Sequence, residues 1–419
     1  MSQNALTVIA RIAAGKFSAL EKVLDEIGQN PQSNTYIPFG KIASLHFACL
    51  VVIKDNPKYP PYLVLESNHD GSNEEHIREL IRVAGKGLDA VYGFCEGYPA
   101  GGSSDAEKVF QYFLSRTSKS PAFYIGCPGQ SVASIHNAIA VREEIETFLD
   151  GENASGTFQG KSAMEIHGRI SKFMAENPRV KVQPSPVTIE QQNIRAWINL
   201  ILIILVGLPI VILLLPLLLI YVIALRVQEQ KDLQLPLPEF PPIDPRLFEA
   251  EDIYTQNHLT TMVEVKPGKF RLRTLQFVLW LINLLAKAYF TTGSLGGIPT
   301  IHFARWILMD DNRRLLFFSN YDGSWASYLG DFVDKANYGL TAVWSNTATF
   351  PPATFLFWGG AQHIEEFKRW SRNHNCYAAV WYSAYPEETL VNLLNDVQIR
   401  DNLGKTLGEE TARQFLQRL

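Results

Sequence analysis

Hydrophobic positions along this chain follow three rhythms. Runs such as ALTVIARI (5–12) alternate apolar with polar positions and are rich in β-branched residues, which predicts strands. Runs such as FSALEKVLDEI (17–27) place apolar residues at helical spacing. A third stretch has no rhythm: from Ala196 to Leu225, AWINLILIILVGLPIVILLLPLLLIYVIAL passes thirty residues without a charge. A soluble core helix rarely needs more than about 18 such residues, so this segment reads as membrane-inserted. Trp197 and Tyr221 sit near its ends as interfacial aromatics do, and Arg195 and Arg226 close it. Gly207, Pro209 and Pro216 interrupt it, and each proline removes a backbone donor. A straight helix of this length would reach about 45 Å against a hydrocarbon core of about 30 Å. Either one span tilts and kinks, or a hairpin broken around Pro209–Pro216 dips into one leaflet. The hairpin is the preferred reading, because a single span would part the two halves of the chain.

Those halves repeat each other. ALTVIARIAAGKF (5–17) matches HLTTMVEVKPGKF (258–270), and SLHFACLVVIKD (44–55) matches TIHFARWILMDD (300–311). YLVLESNHDGS (62–72) matches LLFFSNYDGS (315–324), and GLDAVYGFCEGYP (87–99) matches GLTAVWSNTATFP (339–351). AFYIGCPGQS (122–131) then matches VWYSAYPEET (380–389), and NAIAVREEI (137–145) matches NDVQIRDNL (395–403). Six blocks in one order, offset by 252 to 258 positions, establish a duplication at the level of sequence. Each copy reads β-α-β-β-α-β, with a further helix after the last strand, and that order is ferredoxin-like. A sheet with helices on one face leaves its other face apolar, and the second copy would cover it. The expected fold class is therefore α+β: two ferredoxin-like repeats packed as an intramolecular pseudo-dimer, plus a membrane-inserted helical segment. The expected division is 1–150 for repeat 1, 151–193 for a polar linker with a helical piece, and 194–226 for the apolar segment. A stiff Pro-rich linker follows at 227–256, then repeat 2 at 257–404 and a short helical tail at 405–419. One helix, TLQFVLWLINLLAKAYF (274–290), is apolar nearly all round, so lipid or the 196–225 segment is expected against it.

Composition narrows the function. A net charge of −4 gives no basic field, which excludes nucleic acid as the main partner. Four scattered cysteines without a CxxC pair or a His/Cys cluster argue against a disulfide framework and against a structural zinc site, so no metal is expected; they suit a reducing compartment, so the repeats are expected on the cytoplasmic side of the membrane. No P-loop, GxSxG or HExxH run is present, and no GxGxxG follows a strand. The candidate chemistry is sparse. His46 and His302 hold one position on the second strand of each copy, and period-two alternation puts His302, Ala304 and Trp306 on one face, with Phe303, Arg305 and Ile307 on the other. Arg305 stands where copy one has Cys49. Asp70 and Asp322 end a Ser-Asn-x-Asp-Gly run, which reads either as an acid–base group or as turn chemistry, and Ser72 with Glu75 reads as a capping box. Arg142 and Arg400 match across the copies, and a salt bridge accounts for each.

The element order and duplication resemble the dimeric α+β-barrel superfamily over most of 1–150 and 257–404. Within it, dye-decolourising peroxidases carry two such units in one chain. They bind haem and use a GxxDG motif whose Asp does acid–base work on peroxide. Here the runs are Ser67-Asn68-His69-Asp70-Gly71 and Ser319-Asn320-Tyr321-Asp322-Gly323, with serine at the first glycine. The resemblance implies a membrane-associated oxidoreductase, peroxidase-like, with haem held by His302. His302, Arg305 and Asp322 would be catalytic, with His46 and Asp70 as their counterparts, and the substrate would be an apolar or lipid-derived small molecule. The alternative is a non-catalytic, membrane-anchored lipid-binding or scaffold module, or an accessory subunit of a membrane complex.

Overall fold

The computed structural model describes residues 2–154, 156–176, 179–232, 243–249, 254–290 and 293–419. In the first half, β1 (Gln3–Arg11), α1 (Phe17–Gln29), β2 (Leu45–Ile53), β3 (Tyr62–Asp70), α2 (Asn73–Tyr92), α3 (Ala106–Ser115), β4 (Ala122–Ile125) and α4 (Val132–Ala154) follow in order. Then come α5 (Ala163–Glu176), α6 (Ile189–Leu213) and α7 (Leu215–Asp232). The second half has a similar order of elements. It contains β5 (Gln256–Glu264), α8 (Lys269–Ala288), β6 (Ile301–Met309), β7 (Arg314–Asp322), α9 (Trp325–Trp344), a two-residue ribbon of β8 (Ala353–Thr354) and β9 (Trp358–Gly359), α10 (Ile364–Asn373), β10 (Ala378–Ser383) and α11 (Leu390–Asn402). Helix α12 (Glu409–Leu416) ends the chain against α5. The helical piece and tail expected from sequence are thus present. Of the Pro-rich linker at 227–256, residues 233–242 and 250–253 lie outside the described residues, and 227–232 belong to α7.

The two halves share small details. Gln3 pairs with Asp70 and Gln256 with Asp322, at the same register. A bulge interrupts β2 between Leu45 and Phe47, and β6 between Ile301 and Phe303. Helices α2 and α9 both kink at the same relative position, Ala84 and Ala336. Ser72 and Glu75 form the reciprocal capping box read from the sequence.

The sheets are not completed as the repeat reading expects. Their orders are β1-β3-β2-β10 and β4-β6-β7-β5, so each half supplies the fourth strand of the other half's sheet. Strand β10 runs antiparallel to β2, and β4 antiparallel to β6. Gly28 of α1 makes room for the incoming strand: a Cβ there would sit 2.2 Å from the Ala379 carbonyl oxygen. A division at 1–150 and 257–404 therefore cuts both sheets.

Helices α1, α2 and α3 cover the outer face of the first sheet over a core of Leu6, Val8, Leu50 and Leu65. The counterpart core of the second sheet, with α8, α9 and α10, gathers Leu275, Ala304, Trp306 and Phe317. The inner faces meet each other through Cys49, Val51, Val64, Met262, Ile307 and Phe318. Both sheets are covered on both sides, which explains why β2 and β6 are buried almost throughout.

Helices α6 and α7 form the uncharged segment and extend past its ends at 189 and 232; the break falls at Leu214, between the two prolines. Helix α6 is long and apolar enough to cross a membrane. Both arms stand on α8. Asn199 donates to the Ala288 carbonyl at 3.3 Å, and Tyr221 meets Thr274 at 2.9 Å and stacks on Phe270. Between these feet the apolar side chains are exposed, Leu213 by 78%. Helix α8 buries Leu275 and Leu279 against its sheet and leaves Phe277 and Trp280 exposed beside the arch.

Candidate functional site

Two buried polar groups lie between the sheets. The first sits at the bulges. His46 Nε2 is 3.2 Å from Asp70 Oδ1, and His302 Nε2 is 2.6 Å from Asp322 Oδ1. The other carboxylate oxygen of each Asp accepts the first backbone N–H of a helix, Val132 of α4 at 2.9 Å and Leu390 of α11 at 2.7 Å. A helix start presents unpaired donors and positive potential, so a carboxylate belongs there. The histidine carbonyls accept from the continuations of the exchanged strands, Ala384 N–H to His46 and Gly126 N–H to His302. Each His–Asp pair thus pins a bulge, an exchanged strand and the helix that follows it. The two pairs approach each other around Phe47, Phe303 and Tyr385, whose hydroxyl is 3.0 Å from His46 Nδ1. Burial pushes the Tyr385 hydroxyl far above its ordinary range.

This corrects the expected placement of His302. The bulge removes it from the period-two alternation, so it turns toward Phe47 rather than joining Ala304 and Trp306 on the helix-covered face. It also corrects Asp70 and Asp322 as turn residues: both are the last residues of strands, and the serines before them bond α2 and α9, Ser67 to His76 and Ser319 to Tyr328. The expected haem does not fit His302. Its ring is 2% exposed, its Nε2 is held by Asp322, and Phe47 packs against it, leaving no face for a porphyrin. An acid–base role for Asp322 meets the same obstacle, since both its oxygens are engaged.

Arg305 belongs to the second group. Its guanidinium donates to Glu66 Oε1 of the facing sheet and to the Leu6 and Ser67 carbonyls. Asn68 also donates to that oxygen, at 2.7 Å. Burial raises the Glu66 carboxyl, but Arg305, His258 and the Asn68 hydrogen bond together hold it below its ordinary value. His258 and Cys49 lie alongside, Sγ to Nε2 at 3.3 Å. Glu66 Oε2, Asn68 Oδ1 and Arg305 Nε are buried without a hydrogen-bond partner among the described residues.

The structure therefore joins His302 with Asp322 and His46 with Asp70, and separates Arg305 from them. Glu66, His258, Cys49 and Tyr385 were missed as site residues. A signal for three of them lay in the duplication, where Cys49 faces Arg305, Glu66 faces Phe318 and His258 faces Ala5 at matched positions.

Arg142 and Arg400 bridge the halves. Arg142 reaches Glu388 at 3.1 Å and Asp396 at 2.9 Å, and Arg400 reaches the Ser134 carbonyl at 2.6 Å and Gln130 at 2.9 Å. A cleft of about 920 Å³ opens beside α7, lined by Lys58, Arg226, Glu229, Lys266, Phe350 and Arg369 among others. No family model, curated protein or solved structure matches the chain.

Proposed function

We propose that this protein is a membrane-anchored, lipid-binding module held in one leaflet by the α6–α7 arch. In this reading the two halves descend from one ferredoxin-like unit whose last strand is exchanged. The observation that carries the reading is that both feet of the apolar segment stand on α8 while the halves share strands. Halves that complete each other's sheets stay on one side of a membrane, so the segment that joins them must return. Residues 200–220, between the feet, make about 32 Å of helix for the way out and back. The apex then stands at most about 16 Å beyond α8, short of a core of about 30 Å. Phe277 and Trp280 extend the same apolar surface. The neighbouring cleft carries both charge signs and aromatic rings, which suits a zwitterionic phospholipid headgroup beside acyl chains laid along the arch. Four free thiols support the cytoplasmic side.

Flotation of the full chain with phosphatidylcholine vesicles tests this. The wild type should float, and the triple variant Leu205→Glu, Ile212→Glu, Leu219→Glu should remain at the bottom with its circular dichroism unchanged. A wild-type chain that stays monodisperse in buffer without lipid or detergent defeats the reading.

A membrane-surface oxidoreductase is the second reading, favoured by the unpartnered polar atoms sealed around Glu66 and Arg305. In it, His302 and Asp322 position the sheet end, and chemistry falls to that centre. A Soret band from the purified chain would restore haem.

A further inference from the structure

The polar centre between the sheets holds more donors than its hydrogen bonds use. We propose that Cys49 Sγ, His258 Nε2 and Glu66 Oε2 form a site for one divalent transition metal of borderline softness, zinc in the first instance, with a fourth position facing Asn68 Oδ1 or a water.

The geometry supports this in four ways. First, one ligand atom from each of the three residues falls within 4.8 Å of the others, and Cys49 Sγ lies 3.3 Å from His258 Nε2. Ligands bound at about 2.0–2.3 Å around a tetrahedral metal stand roughly 3.3–3.8 Å apart, so Cys49 and His258 already have ligand spacing and the Glu66 carboxylate closes in from within 4.8 Å.

Second, the histidine tautomer follows from its neighbours. Trp381 Nε1 is 3.1 Å from Asn320 Oδ1, and an indole N–H only donates, so that atom is the carbonyl oxygen. His258 Nδ1 lies 3.0 Å from the same oxygen and must carry the proton. The Nε2 lone pair then accepts from Thr260 Oγ1 at 2.8 Å, with Cys49 Sγ at 3.3 Å, so a metal on Nε2 would displace the Thr260 hydroxyl. A carbonyl on the far nitrogen is the usual outer support of a metal-bound imidazole.

Third, Glu66 Oε1 is taken by Arg305 and Asn68, whereas Oε2 is buried without a partner among the described residues, as is Asn68 Oδ1. Leaving such buried acceptors unsatisfied is costly, and a cation removes that penalty. Fourth, the position matching Cys49 holds Arg305, that matching Glu66 holds Phe318 and that matching His258 holds Ala5, so the donors are not a packing device common to both halves. Thiolate, imidazole and carboxylate select zinc or cobalt over magnesium or calcium.

Binding replaces the Cys49 proton with the metal: the S–H bond breaks, the thiolate pair forms the S–metal bond, and one proton leaves to solvent. Arg305 keeps Glu66 ionised beforehand and remains as a like charge beside the ion. The site is sealed, so loading accompanies folding.

The test uses full-length chain purified in detergent from cells grown with cobalt in place of zinc. About one cobalt per chain and a thiolate-to-cobalt charge-transfer band are expected. Cys49→Ser and His258→Ala should each abolish the band, while Cys376→Ser and Cys127→Ser should keep it. His258→Ala installs the residue that the matching position, Ala5, already holds, so its fold should survive, as circular dichroism would check. Folded wild type without the band, or a folded His258→Ala variant that retains it, overturns the proposal.

Discussion

The two ends of the inter-sheet space were built differently. At the bulges the halves are mirror copies: His46 with Asp70 and His302 with Asp322, each carboxylate accepting from the start of a helix. Further along the same strands the copies part, with Cys49 against Arg305, Glu66 against Phe318 and Ala5 against His258. Both ends are buried and polar, so burial alone does not tell them apart. What does is completeness. At the mirrored end both oxygens of each carboxylate are engaged. The asymmetric end leaves an oxygen of Glu66 and a nitrogen of Arg305 unpartnered among the described residues. The polar residues found at both matched ends hold the exchanged strands in place, and those found at one end only leave donors and acceptors unused.

Three changes would break or sharpen this contrast. The largest effect is expected for Glu66→Leu, which strands a buried guanidinium and should cost about 3–5 kcal/mol in urea unfolding. Adding Arg305→Met should recover most of that loss, because an apolar pair replaces the ion pair. A double variant as unstable as the single one would mean the centre is held by more than this pair.

Asp70→Asn and Asp322→Asn come next. Each weakens a helix start and a histidine contact, at about 1–3 kcal/mol. The two losses should agree within about 1 kcal/mol in chemical denaturation. A much larger effect at Asp322 alone would return it to the candidates for chemistry.

The smallest effect is a pH dependence on the far helices. Burial raises the Asp396 carboxyl to about 7 despite Arg142 beside it, with Glu388 and Glu146 adding to the rise. The folded protein then holds this proton more tightly than the unfolded chain. Stability contributed by Asp396 is full below about pH 4 and is lost as pH rises toward about 7. Thermal scans at pH 5 and pH 8 should show wild type losing more on the alkaline side than Asp396→Asn, by a few degrees. Parallel curves would show that Asp396 is ionised at no cost in the fold.

Much of the secondary structure was legible. Strands β1, β2 and β3 and their copies carry their own periodicity, and Ser72 with Glu75 announces the start of α2 through contacts three residues apart. The site was legible only in part. His302 with Asp322 and His46 with Asp70 emerged as matched positions, but a one-residue bulge, which leaves no mark in the pattern, redirects both histidines. Glu66 looked like an ordinary polar position on YLVLES, because its partner Arg305 is 239 positions away.

By itself, then, the sequence determined that six blocks of similar pattern recur in one order, which of their stretches are strands and helices, and that one uncharged run separates them. Those properties arise from local periodicity and from self-similarity, and both can be read along a single line. Which sheet β4 and β10 complete was decided only by the tertiary structure, since the paired edges are nearly alike in pattern and connection geometry selects between them. The same holds for the arch. Apolar length permits a crossing, but feet bonded to Ala288 and Thr274 at both ends of α8 fix where the chain must come back.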